Sequence, residues 1–172
     1  MKLAIFVSGS GSLLGSFARL AAKKENLELL VVTDRFCEAI KVAQDLGLKV
    51  CDFDRFDEPV DGICLAGFLQ ILRRDFLSKY EGKVLNAHPS LLPKYGGKGF
   101  YGDKVHQAVL DAGDKETGFT IHLVTDEVDA GEIIAQKKCP IYEDDTVDDV
   151  RNRVQDLEKE HYATEAFNFL SS

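Results

Sequence analysis

Asn86 and His88 are the two side chains of this sequence whose types and spacing best suit chemistry on a carbonyl group. They lie in or directly after a short predicted strand, Lys83 to Ala87, and residues two apart in an extended chain project to one face. Pro89 disfavours helical angles at His88, so the extended geometry should persist through the histidine. An imidazole that titrates near neutral pH, beside an amide donor, suits acid–base work. On these residues alone, the alternative is a strand end followed by a polar turn, with no chemical role.

A glycine-rich turn upstream offers a second place for chemistry. The apolar run Leu3 to Val7 is typical of a strand buried in a parallel sheet. Ser8 to Ser12 forms the turn, and apolar residues at helical spacing predict a helix over 13–24. Free N–H groups at such a helix start attract anions. Two ligand classes stay open, a dinucleotide and a single phosphate of mononucleotide size, besides a tight turn that binds nothing.

The dinucleotide alternative depends on Gly9-x-Gly11 and on Asp34. Asp34 follows the next predicted strand, 27–33, about where a ribose-binding acid is expected. Leu14 stands at the third glycine position of that fingerprint, where close packing of helix and strand requires a small residue. The leucine at this position weakens the dinucleotide interpretation and favours the simpler turn that binds a single phosphate.

The rest of the chain alternates between helix and strand. Further strands are predicted over 48–53, 63–66, 118–124 and 133–139, and helices over 37–46, 73–80, 106–112 and from a Thr146-x-x-Asp149 capping signal onward. The link 54–61 is too short for a crossover helix and contains proline, so we expect it to be extended, with a reach that suits the strand order 3-2-1-4. The pattern predicts an α/β fold: a Rossmann-like three-layer sandwich with a mostly parallel sheet, a mixed C-terminal part and a single domain over 1–172.

Composition excludes several classes of partner. The formal charge is −8 and the pI is near 5.0. The chain therefore lacks the excess positive charge that is typical of proteins that bind nucleic acid or an anionic membrane. No apolar run approaches the length of a membrane span. The four cysteines lack a C-x-x-C pair and zinc-ligand spacing, so we expect free thiols in a reducing compartment. We therefore predict a cytoplasmic protein that needs no metal and binds small molecules.

In such a sheet the turn at Gly11, the loop after Gly67, the Asn86–His88 stretch and the turn after Val124 all follow strand carboxyl ends, where open α/β sheets build their sites. An acid of the 125–129 turn would reach His88 and raise its pKa, since a carboxylate favours the charged imidazole. A raised pKa would help His88 to donate a proton. His122 is interpreted as a strand-face histidine that borders the ligand, and His106 and His161 as histidines without a role.

Three segments resemble the folate-dependent formyltransferases, and among them the glycinamide ribonucleotide transformylases: Ala66–Leu72, Asn86–Pro93 and Val128–Gly131. The resemblance runs from Lys2 to about Phe169, and Ser8–Ser12 is similar to the phosphate loop of those transformylases. It implies an enzyme of purine biosynthesis that transfers a formyl group from 10-formyltetrahydrofolate, a co-substrate, to the amine of phosphoribosylglycinamide. A monomer or a homodimer is expected.

The resemblance also assigns roles to residues. His88 would donate a proton and polarise the formyl oxygen, Asn86 would donate to the developing oxyanion, and Asp129 would orient His88 and raise its pKa. The residues assigned to the ribonucleotide are Gly11, Ser12, Leu13, Pro89, Gln155 and Glu158. Those assigned to the folate are Leu69, Gln70, Ile71, Leu72, Asn86, Thr125 and Asp126.

Two departures from the family pattern bear on these roles. Leu13 stands where asparagine is usual, which removes a side-chain donor and keeps the backbone contact. The link 54–61 replaces a full helix, and an arginine associated with folate binding has no counterpart, so a weaker or altered hold on the folate tail is implied. The alternatives are another folate-dependent formyl enzyme (a deformylase, a transfer-RNA formyltransferase or a sugar-amine formyltransferase), a nucleotide-binding module without catalysis, and an inactive homologue.

Overall fold

A computed structural model describes residues 1–172. Its strands are β1 (Lys2–Val7), β2 (Glu28–Thr33), β3 (Lys49–Asp52), β4 (Gly62–Leu65), β5 (Val84–His88), β6 (Glu116–Leu123) and β7 (Ile133–Pro140). Its helices are α1 (Leu14–Ala21), α2 (Glu38–Asp45), α3 (Arg74–Lys79), α4 (Asp103–Asp111) and α5 (Val147–Leu170). Each lies where the sequence predicts it, with ends that shift by a turn or less. None of the helices is long and apolar enough to cross a membrane.

The seven strands form one sheet in the order β3-β2-β1-β4-β5-β6-β7. β1 pairs in parallel with β2 and with β4, and β2 pairs in parallel with β3. β6 and β7 pair antiparallel. The prediction of an α/β fold with a mostly parallel sheet and a mixed C-terminal part is therefore confirmed, including the order 3-2-1-4.

The chain divides into two compact units. The first unit comprises Met1–Leu85 and Ala163–Ser172, and the second comprises Asn86–Tyr162. In the first unit, β1 and β4 are built from almost fully covered apolar residues, as expected of parallel strands that are buried on both faces. In the second unit, α5 begins with the predicted capping box, in which the Thr146 and Asp149 side chains each accept from the other residue's N–H. The single domain over 1–172 stays a prediction.

The link between β3 and β4 has no helix beyond one 3-10 turn, Phe53–Arg55, which confirms the extended link. Its aromatic side chains cover Phe6 of β1, which is 0% exposed. The Phe6 ring centroid lies 5.7 Å from that of Phe53 and 5.2 Å from that of Phe56, both in edge contact. The cluster is completed by Phe68, Phe76 and Tyr80. These aromatic rings thus cover Phe6 of β1, as a crossover helix covers a strand in most α/β units.

Replacing Phe56 with alanine is expected to lower the free energy of unfolding by about 2 kcal/mol, because it removes a half-buried ring and its edge contacts. Urea unfolding of the purified variant measures this loss. Phe36→Ala is the matched control, since Phe36 is 95% exposed, and its effect should stay within about 0.5 kcal/mol. Equal effects of the two substitutions would mean that the cluster does not stabilise the link.

Candidate active site

His88 and Asp129 form a buried pair in the second unit. His88 ends β5 and is 4% exposed, and its Nδ1 lies 3.3 Å from Oδ2 of Asp129, whose side chain is 9% exposed. On the other side of the ring, Nε2 lies 2.7 Å from the main-chain oxygen of Tyr95. When Asp129 is ionised, both ring nitrogens therefore face oxygen atoms that can accept a hydrogen bond but cannot donate one. The pair has the geometry of an acid–base centre.

The pKa values of the two groups both lie below their usual values. Burial lowers the pKa of His88, although the Asp129 charge and the Tyr95 carbonyl both favour the protonated ring. Burial alone would raise the pKa of Asp129, but His122, the Gly97 N–H and His88 together outweigh it. Asp129 raises the pKa of His88, as expected from the sequence, but the cost of burying a charged ring is larger, so the pKa of His88 lies below its usual value.

The contacts show how a protonated His88 is stabilised. A neutral His88 carries one proton, and the Tyr95 carbonyl oxygen and the Asp129 carboxylate compete for it. A protonated ring donates to both of these oxygen atoms at once. The centre is therefore arranged to accept one proton and to stabilise the resulting imidazolium.

His122 belongs to the same centre, and its part was not predicted from the sequence. Its Nδ1 lies 2.9 Å from the Leu123 carbonyl oxygen, which can only accept, so Nδ1 carries the proton. Nε2 then accepts from the Asn86 amide at 3.2 Å. Asp129 Oδ1 lies 3.5 Å from the same Nε2, which is the contact with His122 that helps to lower the pKa of Asp129. His122 thus fixes the Asn86 amide and leaves its second proton free to donate.

The local fold explains why these side chains meet. Thr120 and His122 are two residues apart on β6 and so lie on one face of the strand, and the register of the β6–β7 pairing shifts between Ile121 and His122. Gly131 is required in the acidic turn, because a Cβ there would overlap the Leu123 carbonyl oxygen. Asp129 itself has a φ of 55° and accepts from the Gly97 N–H at 2.9 Å. A left-handed backbone conformation at a non-glycine residue stores strain, and such residues are common at functional sites.

A buried hydrogen-bond network holds the turn that follows His88. Gln136 Nε2 donates to the Leu92 carbonyl and to Thr120 Oγ1, each at 2.9 Å. The Leu92 N–H also donates to Thr120 Oγ1 at 2.9 Å, and the Thr120 hydroxyl donates to the Ser90 carbonyl at 2.7 Å. Thr120 is 0% exposed and uses its full hydrogen-bonding capacity. Such a satisfied network keeps the histidine in place.

The pKa of His88 should fall further when Asp129 loses its charge. NMR titration of the imidazole in the wild-type protein should give a midpoint below the usual 6.5, and Asp129→Asn should move it to lower pH, because the carboxylate favours the charged ring. Asp144→Asn, at an exposed acid of the same unit, should leave the midpoint unchanged. A wild-type midpoint above 6.5, or a rise in Asp129→Asn, would contradict this description of the pair.

The glycine-rich turn of the first unit presents unused backbone donors. The N–H groups of Gly11, Ser12 and Leu13 donate to no group of the chain, and they precede α1. Gly11 has a φ of 72°, and a Cβ there would lie 2.9 Å from the backbone of Ala39. Ser12 is exposed, whereas the Leu13 side chain is 7% exposed and belongs to the core. The turn is suited to an anion held by backbone N–H groups and the Ser12 hydroxyl.

The loop 66–73 of the same unit exposes two large apolar side chains. Leu69 is 64% exposed and Ile71 is 77% exposed, whereas Leu72 is 5% exposed. Gln70 is also at the surface. Exposed apolar pairs of this kind suit a flat aromatic ligand.

The remaining predicted binding residues lie in the second unit. Thr125 and Asp126 are exposed in the turn before Asp129, and Pro89 and Gln155 are half-buried. Glu158 is also half-buried on α5, and burial raises the pKa of its carboxyl to about 7. A carboxyl that is partly protonated near neutral pH can both donate to and accept from a hydroxyl group.

The fold and the buried His–Asp pair define an α/β protein equipped for acid–base chemistry. Residues 54–165 match the family model described as "Formyl transferase". The phosphoribosylglycinamide formyltransferase of Brucella melitensis has a solved structure that superposes with a TM-score of 0.85 at 33% identity, covering 99% of this chain and 96% of that one. The chain therefore belongs to the formyl transferase family, in its phosphoribosylglycinamide formyltransferase branch.

Two plant relatives carry the name "Phosphoribosylglycinamide formyltransferase, chloroplastic". The protein from Vigna unguiculata is 38% identical over 181 residues, and that from Arabidopsis thaliana is 35% identical over 184 residues. Both alignments take in 93% of this chain, which spans 57% and 61% of the length of those two relatives. The aligned regions are longer than the 172 residues of this chain, so the relatives carry additional residues within them.

Proposed function

We propose that this chain transfers a formyl group from 10-formyltetrahydrofolate to the amine of 5-phosphoribosylglycinamide in purine biosynthesis. The observation that carries the proposal is the buried His88–Asp129 pair beside an Asn86 amide that has one free proton. Membership of the phosphoribosylglycinamide formyltransferase branch supports the choice of substrates. Monomer or homodimer, a cytoplasmic location and independence of metals stay predictions; the four free cysteines are consistent with a reducing compartment.

The reaction needs one proton to move and one charge to be stabilised. Attack of a neutral amine on the formyl carbon places negative charge on the formyl oxygen and leaves a surplus proton on the attacking nitrogen. Asn86 donates its free amide proton to that oxygen. His88 accepts the surplus proton, Asp129 stabilises the imidazolium, and the proton then passes to the folate nitrogen as the carbon–nitrogen bond breaks. The proton that leaves the amine is the one that the folate nitrogen receives, so no external acid is needed.

The lowered pKa of His88 fits this order of steps. Burial lowers the pKa of His88 and so favours the unprotonated ring, which can act as a base. It becomes an acid only after the attack, when the leaving nitrogen needs a proton. His88 is thus a proton shuttle rather than a group that arrives at the reaction already charged.

The proposal assigns the substrates to separate parts of the chain. Gly11, Ser12 and Leu13 bind the phosphate of the ribonucleotide, with Pro89, Gln155 and Glu158 contacting the rest of that substrate. Leu69–Leu72, Asn86, Thr125 and Asp126 contact the formyl donor. The exposed Leu69 and Ile71 supply apolar surface for the pterin ring.

Asp34 bears on the nucleotide-binding alternative. A ribose-binding acid must present its carboxylate to the ligand, but the Asp34 side chain is 0% exposed and paired with Arg35. The fingerprint therefore lacks its acidic member as well as its third glycine. The deformylase and sugar-amine alternatives use the same acid–base centre, and they differ only in the acceptor of the formyl group.

An acceptor competition separates these activities. Tetrahydrofolate release is followed with 10-formyltetrahydrofolate in the presence of phosphoribosylglycinamide, of an amino sugar phosphate, or of neither. We expect release only with phosphoribosylglycinamide. Equal release without any acceptor would identify a deformylase, and release with the amino sugar alone would identify a sugar-amine formyltransferase.

A further inference from the structure

The segment 95–97 contacts both members of the buried acid–base pair. The Tyr95 carbonyl oxygen lies 2.7 Å from His88 Nε2, and the Gly97 N–H donates to Asp129 Oδ2 at 2.9 Å. All four residues belong to the second unit. The main-chain orientation of this segment therefore determines whether the pair keeps these two contacts.

The backbone of the segment is held in an unfavourable conformation. Tyr95 has a φ of 55°, in the left-handed region that residues other than glycine rarely adopt. Such a conformation persists only where the surrounding contacts enforce it. One of these contacts lies directly before the segment, where the buried Ser90 hydroxyl donates to the Lys94 carbonyl at 2.6 Å. The side chain of Tyr95 supplies another.

The Tyr95 hydroxyl donates to Asp114 Oδ2 at 2.9 Å. Asp114 lies between α4 and β6, and its N–H donates to the Val109 carbonyl at 3.4 Å, so its main chain is held at the end of α4. Lys94 Nζ also lies 3.3 Å from the Asp114 carboxylate, but the lysine side chain is 66% exposed, and such an ion pair contributes little. The hydrogen bond between the phenol and the carboxylate is therefore the stronger contact of Asp114.

Packing alone does not fix the Tyr95 ring. Tyr95 lines a cavity of about 200 Å³, which it shares with Leu91, Val109 and Thr117 among others. A side chain that borders a cavity has fewer atoms to pack against than one in a filled core. The aromatic neighbour of Tyr95 is Phe100, in edge contact with ring centroids 6.1 Å apart. The hydroxyl contact thus adds a directional restraint that packing does not supply here.

We propose that Tyr95 and Asp114 are positioning residues, whose hydrogen bond holds the segment 95–97 so that the Tyr95 carbonyl stays on His88 Nε2. The inference rests on the proposed function, in which His88 shuttles the proton. Neither side chain is assigned a contact with a substrate. Asp114 acts through Tyr95, and Tyr95 acts on the histidine through its own main chain.

NMR titration of the His88 imidazole without any ligand tests the positioning role. The carbonyl favours the protonated ring, so Tyr95→Phe should move the midpoint about half a pH unit below that of the wild-type protein, as expected when a hydrogen bond to a charged group weakens. Tyr142→Phe is the matched control, since Tyr142 is exposed in the same unit, and it should leave the midpoint unchanged. Both changes leave intact the titratable groups that interact with His88, which are Asp129, His122 and His106. A wild-type midpoint in Tyr95→Phe would overturn the proposal.

Two variants of Asp114 separate its hydrogen bond from its charge. Asp114→Ala removes the acceptor and should lower the midpoint as Tyr95→Phe does, whereas Asp114→Asn keeps an oxygen that accepts from the phenol and should stay near wild type. Lys94→Ala removes only the exposed ion pair of Asp114 and should also change nothing. Equal shifts in Asp114→Asn and Asp114→Ala would assign the effect to the charge and would overturn the role of the hydrogen bond.

Formyl transfer then tests the consequence for the reaction. Tyr95→Phe and Asp114→Ala should each lower kcat about tenfold and keep both KM values within about twofold of wild type, because a displaced proton shuttle slows the chemical step and leaves substrate binding unchanged. A lower midpoint with an unchanged kcat would overturn the positioning role. Absence of formyl transfer by the wild-type protein would overturn the proposed function, whereas the titration, which needs no substrate, tests the hydrogen bond separately.

Discussion

Replacing His88 with alanine is expected to lower kcat for formyl transfer by about a hundred- to ten-thousand-fold, the range typical of a lost acid–base group. The physical reason is that Nδ1 is the ring atom that faces Asp129, at 3.3 Å, and both ring nitrogens are held by oxygen atoms. Asp129 supports this role, because its carboxylate stabilises the imidazolium that forms. Single-turnover kinetics measure the chemical step directly.

His161→Ala is the matched control for His88→Ala. His161 lies on α5, and its side chain is about one-third exposed (32%). The control should keep kcat within a factor of about two, since a surface substitution away from the site changes little. If His88→Ala behaves like His161→Ala, proton transfer does not pass through the β5 histidine.

Replacing Asn86 with alanine is the second large effect, with an expected loss of about a hundred- to a thousand-fold in kcat, as for other single oxyanion donors. The loss should fall on kcat more than on substrate binding, because the negative charge on the formyl oxygen exists only during the reaction. The His122 contact makes the donor effective, since it fixes the amide before the charge develops. Steady-state rates over a range of both substrates separate kcat from KM.

Asn152→Ala controls for the loss of an amide, since Asn152 is exposed on α5. It should leave both kcat and KM near wild type. Asn86→Ala with a raised KM and an unchanged kcat would make Asn86 a ground-state binding residue and would remove it from the chemical step.

The elements and the general site were predictable because their signals are local. The apolar β1 run, the Thr146-x-x-Asp149 capping signal and the length of the link 54–61 each predicted a feature that the structure confirms. The pairing of Asn86 with His88 followed from the two-residue period of a strand and from the proline after it. The roles assigned to these residues remain predictions.

The parts that could not be predicted depend on burial and on main-chain geometry. The sign of the His88 pKa shift required its 4% exposure, which no local pattern reports. His122 shared a predicted polar strand face with Thr120, a signal that could have indicated a role, but its contact with the Asn86 amide depends on β5 and β6 being neighbours in the sheet. The Tyr95 carbonyl and the Gly97 N–H act through the backbone, so side-chain types carried no information about them.

The link 54–61 also has one feature that the sequence predicted and one that it could not predict. Its length and proline predicted that no crossover helix would form, whereas the rings that replace the helix come from distant positions. Phe68 and Phe76 follow β4 in the chain, and they contact Phe6 of β1 in a fold in which β4 pairs with β1. An aromatic cluster assembled from three segments cannot be read from any one of them.

The most direct test of the central claim follows the formyl carbon itself. 10-Formyltetrahydrofolate labelled with ¹³C in the formyl group is mixed with phosphoribosylglycinamide and the wild-type protein, and the label is followed by NMR. The account predicts that the label moves from the folate nitrogen to the glycinamide nitrogen, one equivalent for each tetrahydrofolate formed, without free formate. Label that appears as formate, or that stays on the folate while both substrates are present, would contradict it.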